Sequence, residues 1–241
     1  MKVSIIVPAF NEERLLAESL ARIRVATQAF ADAGWTSELI VCDNNSTDRT
    51  ADIARAAGAR VVFEPVNQIA RARNAGASVA AGEWLVFVDA DSYPDIGLFR
   101  DVVDAIRTGR YAAGGATVRI DTPHPVARAV VQWWNLTSRI ARWAAGSFIF
   151  CEAATFRRIG GFGQEWFAGE EIDLFRRLKR DARLTGRRIA ILTRHPLMTS
   201  GRKARLYTFR EAMRFHLRVL VTGGRALRSP EDAFLWYDGR R

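Results

Sequence analysis

"WLVFVDADSYP", residues 84–94, runs apolar for five residues and then turns acidic. The apolar part reads as a buried strand, and its end carries Asp89 and Asp91 with only Ala90 between them. A strand puts residues i and i+2 on one side, roughly 6–7 Å apart at ~3.3 Å per residue. Two carboxylates held side by side repel, so either one takes up a proton or a cation lies between them. Hard divalent cations such as Mg²⁺ or Mn²⁺ prefer such oxygen ligands and usually hold substrate phosphates as well. The plainer alternative is a solvated turn, since Asp, Ser and Pro are common turn residues.

Outward from this stretch, the N-terminal half alternates strand and helix. "KVSIIVP" is a first buried strand, and "EERLLAESLARIRVATQAF" follows with Leu15, Leu16, Leu20 and Ile23 at helical spacing. "ELIVCD" is a second strand, and "NNSTDRTADIARAAG" predicts a helix that starts at Asn45 or Ser46 and stops at Gly58. "RVVF" is a third strand, "QIARARNAGASVAAG" a third helix and "EWLVFV" a fourth strand. Apolar strands alternating with helices of this length imply βαβ units and a mostly parallel sheet, an α/β fold. In such open sheets ligands sit beyond the carboxyl ends of the strands. The polar residues gather there: Asn11 and Glu12, Asp43 and Asn44, Asp89 and Asp91.

Past residue 110 the pattern changes. "YAAGGATVRI" predicts a strand, and "PVARAVVQWWNLTSRIARWAAG" an amphipathic helix opened by Pro125. "GSFIFCEAATFRRIGGF" predicts a strand and a short helix closed by two glycines. "EEIDLFRRLKRDAR" is a helix, "RRIAIL" a last strand and "YTFREAMRFHLRVLVTGG" a basic terminal helix. No internal repeat or low-complexity linker separates these parts.

Composition sets the class. A chain of 241 residues with 49% hydrophobic residues supports one sizeable core. It has no apolar run of about 18 residues, the length a spanning helix needs. "MKVSIIVPAFNEER" meets charge at once and has no small-residue cleavage site, so it reads as a strand rather than a signal peptide. Cys42 and Cys151 lie far apart without metal-type spacing, which fits small core residues in a reduced, cytoplasmic protein. Charge is uneven. Residues 1–175 hold 18 basic and 21 acidic side chains, a net of −3, whereas residues 176–241 hold 18 and 5, a net of +13. Such asymmetry points to an anionic partner for the C-terminal quarter.

"SIIVPAFNEE", "VCDNNSTDRT", "ARARNAGA", "FVDADS", "FRRIGGF" and "GEEIDLFRRL" occur in this order over about residues 3–180. As an ordered set they resemble glycosyltransferase family 2, the inverting nucleotide-sugar enzymes with a GT-A fold. "TSGRK", residues 199–203, further resembles a compact branch ending in Thr-Ser-x-Arg-Arg. The resemblance implies a Rossmann-like, mostly parallel sheet with flanking helices in one GT-A catalytic domain, residues 1–205. Residues 1–110 would be its nucleotide-binding lobe and 111–205 its acceptor-binding lobe. Residues 206–241 would form a C-terminal amphipathic basic helix and tail.

The resemblance also assigns roles. Pro8, Phe10 and Glu12 would line the nucleotide site. Asp43 would accept from a base N–H, and a carboxylate there suits the imide-like donor of uracil or guanine, so a UDP-sugar is the expected donor. Its plainer alternative is a helix cap shared with Asn45 and Ser46. Arg73 and Asn74 would sit near the nucleotide and the first aspartate. Asp91, with Asp89, would hold Mg²⁺ or Mn²⁺ against the donor diphosphate, Asp91 as the direct ligand. Glu171 takes the base position of the family's Glu-Asp-x-Asp pattern, where Asp is usual, with Glu170 and Asp173 as neighbours. Acid at a helix N-terminus is otherwise favoured by the dipole alone, by ~0.3–1 kcal/mol. His195 would be a third metal ligand or a structural histidine before a proline. Arg202 and Lys203 would close over the diphosphate or belong to a solvated loop. Trp133 and Trp134 would stack on an acceptor, lie at a lipid interface or belong to the core.

The acceptor stays open, with a lipid-linked molecule or a polysaccharide as candidates. Arg210, Arg214 and Arg218 repeat every fourth residue beside Phe209, Met213, Leu217 and Leu220. That pattern predicts peripheral contact with the inner face of a membrane. Three other readings compete. A nucleotidyltransferase would need a Gly-rich signature after the first strand, which "PAFNEE" lacks. A degenerate homologue would bind the sugar without transferring it. A nucleic-acid-binding protein would use the basic end, but no recognisable motif supports it and no nucleic acid is expected as partner.

Overall fold

The computed structural model describes residues 1–202, 211, 214, 218, 221–222 and 225–232. Eight strands form one sheet in the order β3-β2-β1-β4-β7-β6-β8-β5. They are β1 (Lys2–Ala9), β2 (Thr36–Asp43), β3 (Arg60–Phe63), β4 (Trp84–Val88), β5 (Ser92–Tyr93), β6 (Tyr111–Asp121), β7 (Phe148–Glu152) and β8 (Arg188–Ser200). Strands β3, β2, β1 and β4 run parallel, β7 is antiparallel to both its neighbours, and β6 and β8 are parallel. The helices are α1 (Leu16–Ala26), α2 (Gln28–Asp32), α3 (Thr50–Ala56), α4 (Ile69–Ser78), α5 (Ile96–Arg107), α6 (Pro125–Ala141), α7 (Ala153–Arg158) and α8 (Glu170–Leu184).

The apolar runs are explained by burial on both faces. In β1, Val3, Ile5 and Val7 meet Leu16, Leu20 and Phe30, while Ile6 joins Ala70, Ala77 and Phe87 on the other side. In β4, Trp84, Val86 and Val88 face one cluster and Leu85 and Phe87 the other. A strand covered on both sides reads as a continuous hydrophobic run rather than an alternation. Helix α4 lies so close to β1 that a Cβ on Gly76 would come within 2.5 Å of Ile6 Cγ2. Pro8 stands two residues beyond the last β1–β4 pair, where a missing N–H is tolerated. Cys42 and Cys151 are buried free thiols, as expected, and burial pushes the Cys42 pKa up to about 12.

Several boundaries differ from the sequence reading. Helix α3 starts at Thr50, not at Asn45 or Ser46. Asn45 is left-handed (φ 63), and Ser46 and Asp48 are used by the neighbouring loop instead. Asn11 N–H donates to Ser46 Oγ, Glu13 N–H to Asp48 Oδ2, and Thr47 N–H to Asn11 Oδ1. The first helix divides at Thr27, whose hydroxyl donates to the Arg24 carbonyl. Strand β8 runs beyond "RRIAIL" to Ser200. Its pairing with β6 jumps from Leu192 to Leu197 across one residue of β6, so Thr193–Pro196 bulges out.

The largest difference lies at the opening stretch. Strand β4 ends at Val88, and Asp89–Ala90–Asp91 is a turn, closed by Ser92 N–H donating to Asp89 O at 3.1 Å. The strand alternation that would set the two carboxylates side by side therefore does not apply. This turn joins β4, in the middle of the sheet, to β5 at its far edge. The sheet curls back to allow it, and β8 arrives beside the turn, with Ser200 N–H donating to Asp91 O at 2.9 Å.

The expected terminal stripe falls largely outside the described residues, as do Lys203, Phe209, Arg210, Met213, Leu217 and Leu220. Arg214 and Arg218 are exposed. Among the described residues no helix is long and apolar enough to cross a membrane.

Candidate active site

The carboxyl ends of β1, β2 and β4 lie side by side at one edge of the parallel half of the sheet. Ala9 is in register with Asp43, and Asn44 N–H donates to Ala9 O at 2.8 Å. Pro8, Glu12 and Asp43 are buried here, and Phe10 is partly buried. Asp43 accepts from Ser46 N–H at 3.1 Å, a local turn rather than a helix cap. The loops after β1 and β2 are thus laced together before any ligand arrives.

Two arginine clusters flank the Asp89–Asp91 turn. On one side Arg73, only 1% exposed, donates from Nη2 to Asp89 Oδ1 at 2.9 Å and to Gly146 O at 2.8 Å. Its Nη1 donates to Glu170 Oε1 at 2.6 Å. Its guanidinium lies over the Phe162 ring, 5.1 Å from the centroid. Burial works against its charge, yet Asp89, Glu170 and Glu171 hold its pKa above the usual arginine value. On the other side Arg202 makes a two-pronged bond to Glu12, at 2.6 Å for each prong, and reaches Asp91 Oδ2 at 3.4 Å. The repulsion expected between the two aspartates is met by one arginine apiece.

Glu171 completes the first cluster. A Cβ on Gly146 would lie 3.6 Å from Glu171 Cδ and 3.3 Å from Arg73 Nη2, so both groups converge over that glycine. Glu171 is partly buried, and burial together with the Glu170 carboxylate pushes its pKa up to about 8. Glu170 is committed to Arg73, which leaves Glu171 as the proton-seeking carboxyl of the pair.

The remaining expected residues stand elsewhere. Asn74 donates to Phe162 O at 2.8 Å and accepts from Phe162 N–H at 2.9 Å, so it clamps the ring under Arg73. Asp173 accepts from Arg177 at 2.6 Å, and Arg177 donates to the Ile159 and Gly161 carbonyls. His195 sits in the β8 bulge against α5, with Nδ1 3.1 Å from Asp101 Oδ2, and is not brought to Asp91. Among the described residues no group of three His, Cys, Asp or Glu side chains is arranged to hold a metal ion. Trp133 is exposed, whereas Trp134 packs partly buried against the core.

The sequence reading missed Gly146, Phe162 and Gln68. Gln68 is buried and ties Asn44 to the 164–166 loop: its N–H donates to Asn44 Oδ1, and Nε2 to the Gln164 and Trp166 carbonyls. "FRRIGGF" was a visible signal for Phe162, because Gly161 takes φ 67 and leaves the next residue free to turn inward.

Comparison with known proteins agrees with this fold. An uncharacterized glycosyltransferase of Mycobacterium tuberculosis is 35% identical over 141 residues, covering 57% of this chain and 60% of its own length. The chain thus spans about three fifths of that relative. S. aureus TarS 1-349 in complex with UDP-GlcNAc superposes with a TM-score of 0.66 at 22% identity, covering 98% of this chain and 69% of that one. The mannosyltransferase PcManGT from Pyrobaculum calidifontis, in complex with GDP-Man and Mn²⁺, gives 0.66 at 21% identity, covering 88% and 59%. The curled, mostly parallel sheet with its flanking helices is the GT-A fold. Residues 4–159, more than half of the chain, match the family described as Glycosyl transferase family 2. On that match, and with the fold in agreement, the chain belongs to glycosyl transferase family 2.

Proposed function

We propose that this chain transfers a sugar from a nucleotide-diphosphate donor to an acceptor hydroxyl with inversion at the anomeric carbon. The observation that carries the reading is Glu171: a carboxyl of raised pKa set over Gly146, beside the Arg73–Asp89 pair, at the carboxyl end of β4. Glu171 takes the proton of the acceptor hydroxyl, and the freed oxygen attacks the anomeric carbon opposite the leaving diphosphate. Arg73 and Glu170 fix the charge and position around Glu171. Residues 1–110 form the nucleotide-binding lobe and residues 111–205 the acceptor-binding lobe, from which Arg202 reaches across to Glu12 and Asp91.

The donor is a UDP-sugar in this reading, because Asp43 offers a carboxylate to an imide N–H. Guanine shares that donor, and the two superposed structures hold UDP-GlcNAc and GDP-Man respectively. Arg202, on Glu12 and Asp91, serves the diphosphate. Mg²⁺ or Mn²⁺ fits Asp91, with Asp89 beside it, since both offer hard carboxylate oxygens. Two protein ligands suit a cation that keeps water and substrate phosphates as its others. When bound, the cation neutralises charge on the leaving diphosphate. A thermal-shift panel of UDP, GDP, CDP and TDP, with and without Mn²⁺, tests the reading. A ligand at a hundredfold excess over Kd stabilises by about 2.7 kcal/mol. UDP with Mn²⁺ should give the largest shift, and no shift from any of the four would remove the proposal.

A further inference from the structure

Helix α6 carries large apolar residues on two faces, one against the core and one toward solvent. Its two fully buried residues are polar: Asn135, which donates to Val118 O and accepts from Val118 N–H, both at 2.9 Å, and Ser138, which donates to Trp143 O at 2.6 Å. Val131 and Trp134 pack partly buried against the core, while five other large apolar residues face outward. Val126, Val130, Trp133, Leu136 and Ile140 are all exposed, Trp133 at 67% and Ile140 at 76%. At ~100° per residue they fall within about a third of the helix circumference. Thr137 lies among them, and its hydroxyl is already spent on the Trp133 carbonyl at 3.0 Å. A surface helix normally shows a single apolar stripe, turned toward the core, with polar residues opposite.

Charge identifies what this face fits. From Thr122 to Cys151 the chain contains no Asp or Glu, while Arg128, Arg139 and Arg142 are present and exposed. Arg128 and Arg139 line one edge of the apolar row. An apolar helix face rich in branched residues and tryptophan, edged with arginine and free of acid, is the pattern of a helix lying in the headgroup layer of a membrane. A protein partner would also cover apolar side chains, but it would not require thirty residues without a carboxylate.

We infer that the outward face of α6 docks the chain on an anionic phospholipid bilayer. The apolar row enters the acyl boundary and the arginines meet lipid phosphates. The inference rests on none of the residues of the terminal basic segment and does not depend on the sugar-transfer reading. Gly146, whose carbonyl holds Arg73, follows Arg142 by four residues, so the docked face would lie close in sequence to the catalytic cluster.

Co-sedimentation of the full chain with phosphatidylcholine vesicles, with and without phosphatidylglycerol, tests the inference. Wild type should pellet with the phosphatidylglycerol vesicles and only weakly with phosphatidylcholine alone. Trp133→Ser combined with Ile140→Ser should lower partitioning at least about tenfold, with an unchanged melting curve because both side chains are exposed. Arg128→Ala with Arg139→Ala should reduce the preference for phosphatidylglycerol. Arg214→Glu with Arg218→Glu should leave binding in place. Equal pelleting of the Trp133/Ile140 variant and wild type would overturn the inference. So would loss of binding in the Arg214/Arg218 variant alone. A lipid-free dimer that the Trp133/Ile140 variant dissociates, without vesicle binding by wild type, would assign the face to a second copy instead.

Discussion

Replacing Glu171 with Gln should make the protein more stable and less active. The carboxyl has an ordinary pKa of 4.5, raised in the fold to about 8 by burial and by Glu170. A carboxyl with a raised pKa holds its proton more tightly folded than unfolded, so wild type loses stability as pH climbs from about 4.5 through about 8. At ~1.4 kcal/mol per pH unit the ceiling is about 5 kcal/mol. Glu171 is only partly buried and Glu170 shares the effect, so about 1–2 kcal/mol is the expected gain, or ~2–8 °C in Tm for a chain of this size. Gln keeps the shape and carries no charge to lose. Melting curves should therefore coincide near pH 4–5 and separate at pH 9, with the variant higher. Donor binding should survive, while sugar transfer or donor hydrolysis falls about 10²–10⁴-fold. In wild type, kcat/KM should rise with pH and level off above about 8. A variant no more stable than wild type at pH 9, or one that retains full turnover, would refute the reasoning.

Arg73→Met should cost about 3–5 kcal/mol, since it strands Glu170 and Asp89 without their partner. Adding Glu170→Gln should recover part of that loss in denaturant melts. Arg202→Lys keeps the charge but not the fork that grips Glu12 at both oxygens. It should lower stability by about 1–2 kcal/mol and weaken UDP affinity, read by titration calorimetry. His195→Ala should leave Mn²⁺-dependent nucleotide binding unchanged, because the ring pairs with Asp101 on α5.

The parallel half of the fold was legible because β1, β2 and β4 are buried on both faces and carry unbroken apolar runs. Their polar ends were legible for the same reason: an apolar run that turns to Glu12, Asp43 or Asp89 has reached the end of its strand. The arrangement of the two aspartates was not. Period-two reasoning holds only while the chain stays extended, and β4 ends one residue before Asp89. The pairing of Arg202 with Glu12 spans 190 residues and depends on the sheet curling back, which local pattern does not encode. The placement of His195 depends on a bulge that appears only in the β6–β8 register. The outward apolar row of α6 was hidden too. Its amphipathic pattern was plain, but a helical period does not say which face looks inward.

The claim that the carboxyl ends of β1, β2 and β4 bind a nucleotide diphosphate through a cation on Asp91 is tested most directly by titrating UDP into wild type and Asp91→Ala with and without Mn²⁺. Wild type should bind UDP far more tightly with Mn²⁺ present. Asp91→Ala should lose that dependence while keeping the wild-type far-ultraviolet circular dichroism spectrum. Mn²⁺-dependent UDP affinity equal to wild type in Asp91→Ala would contradict the account.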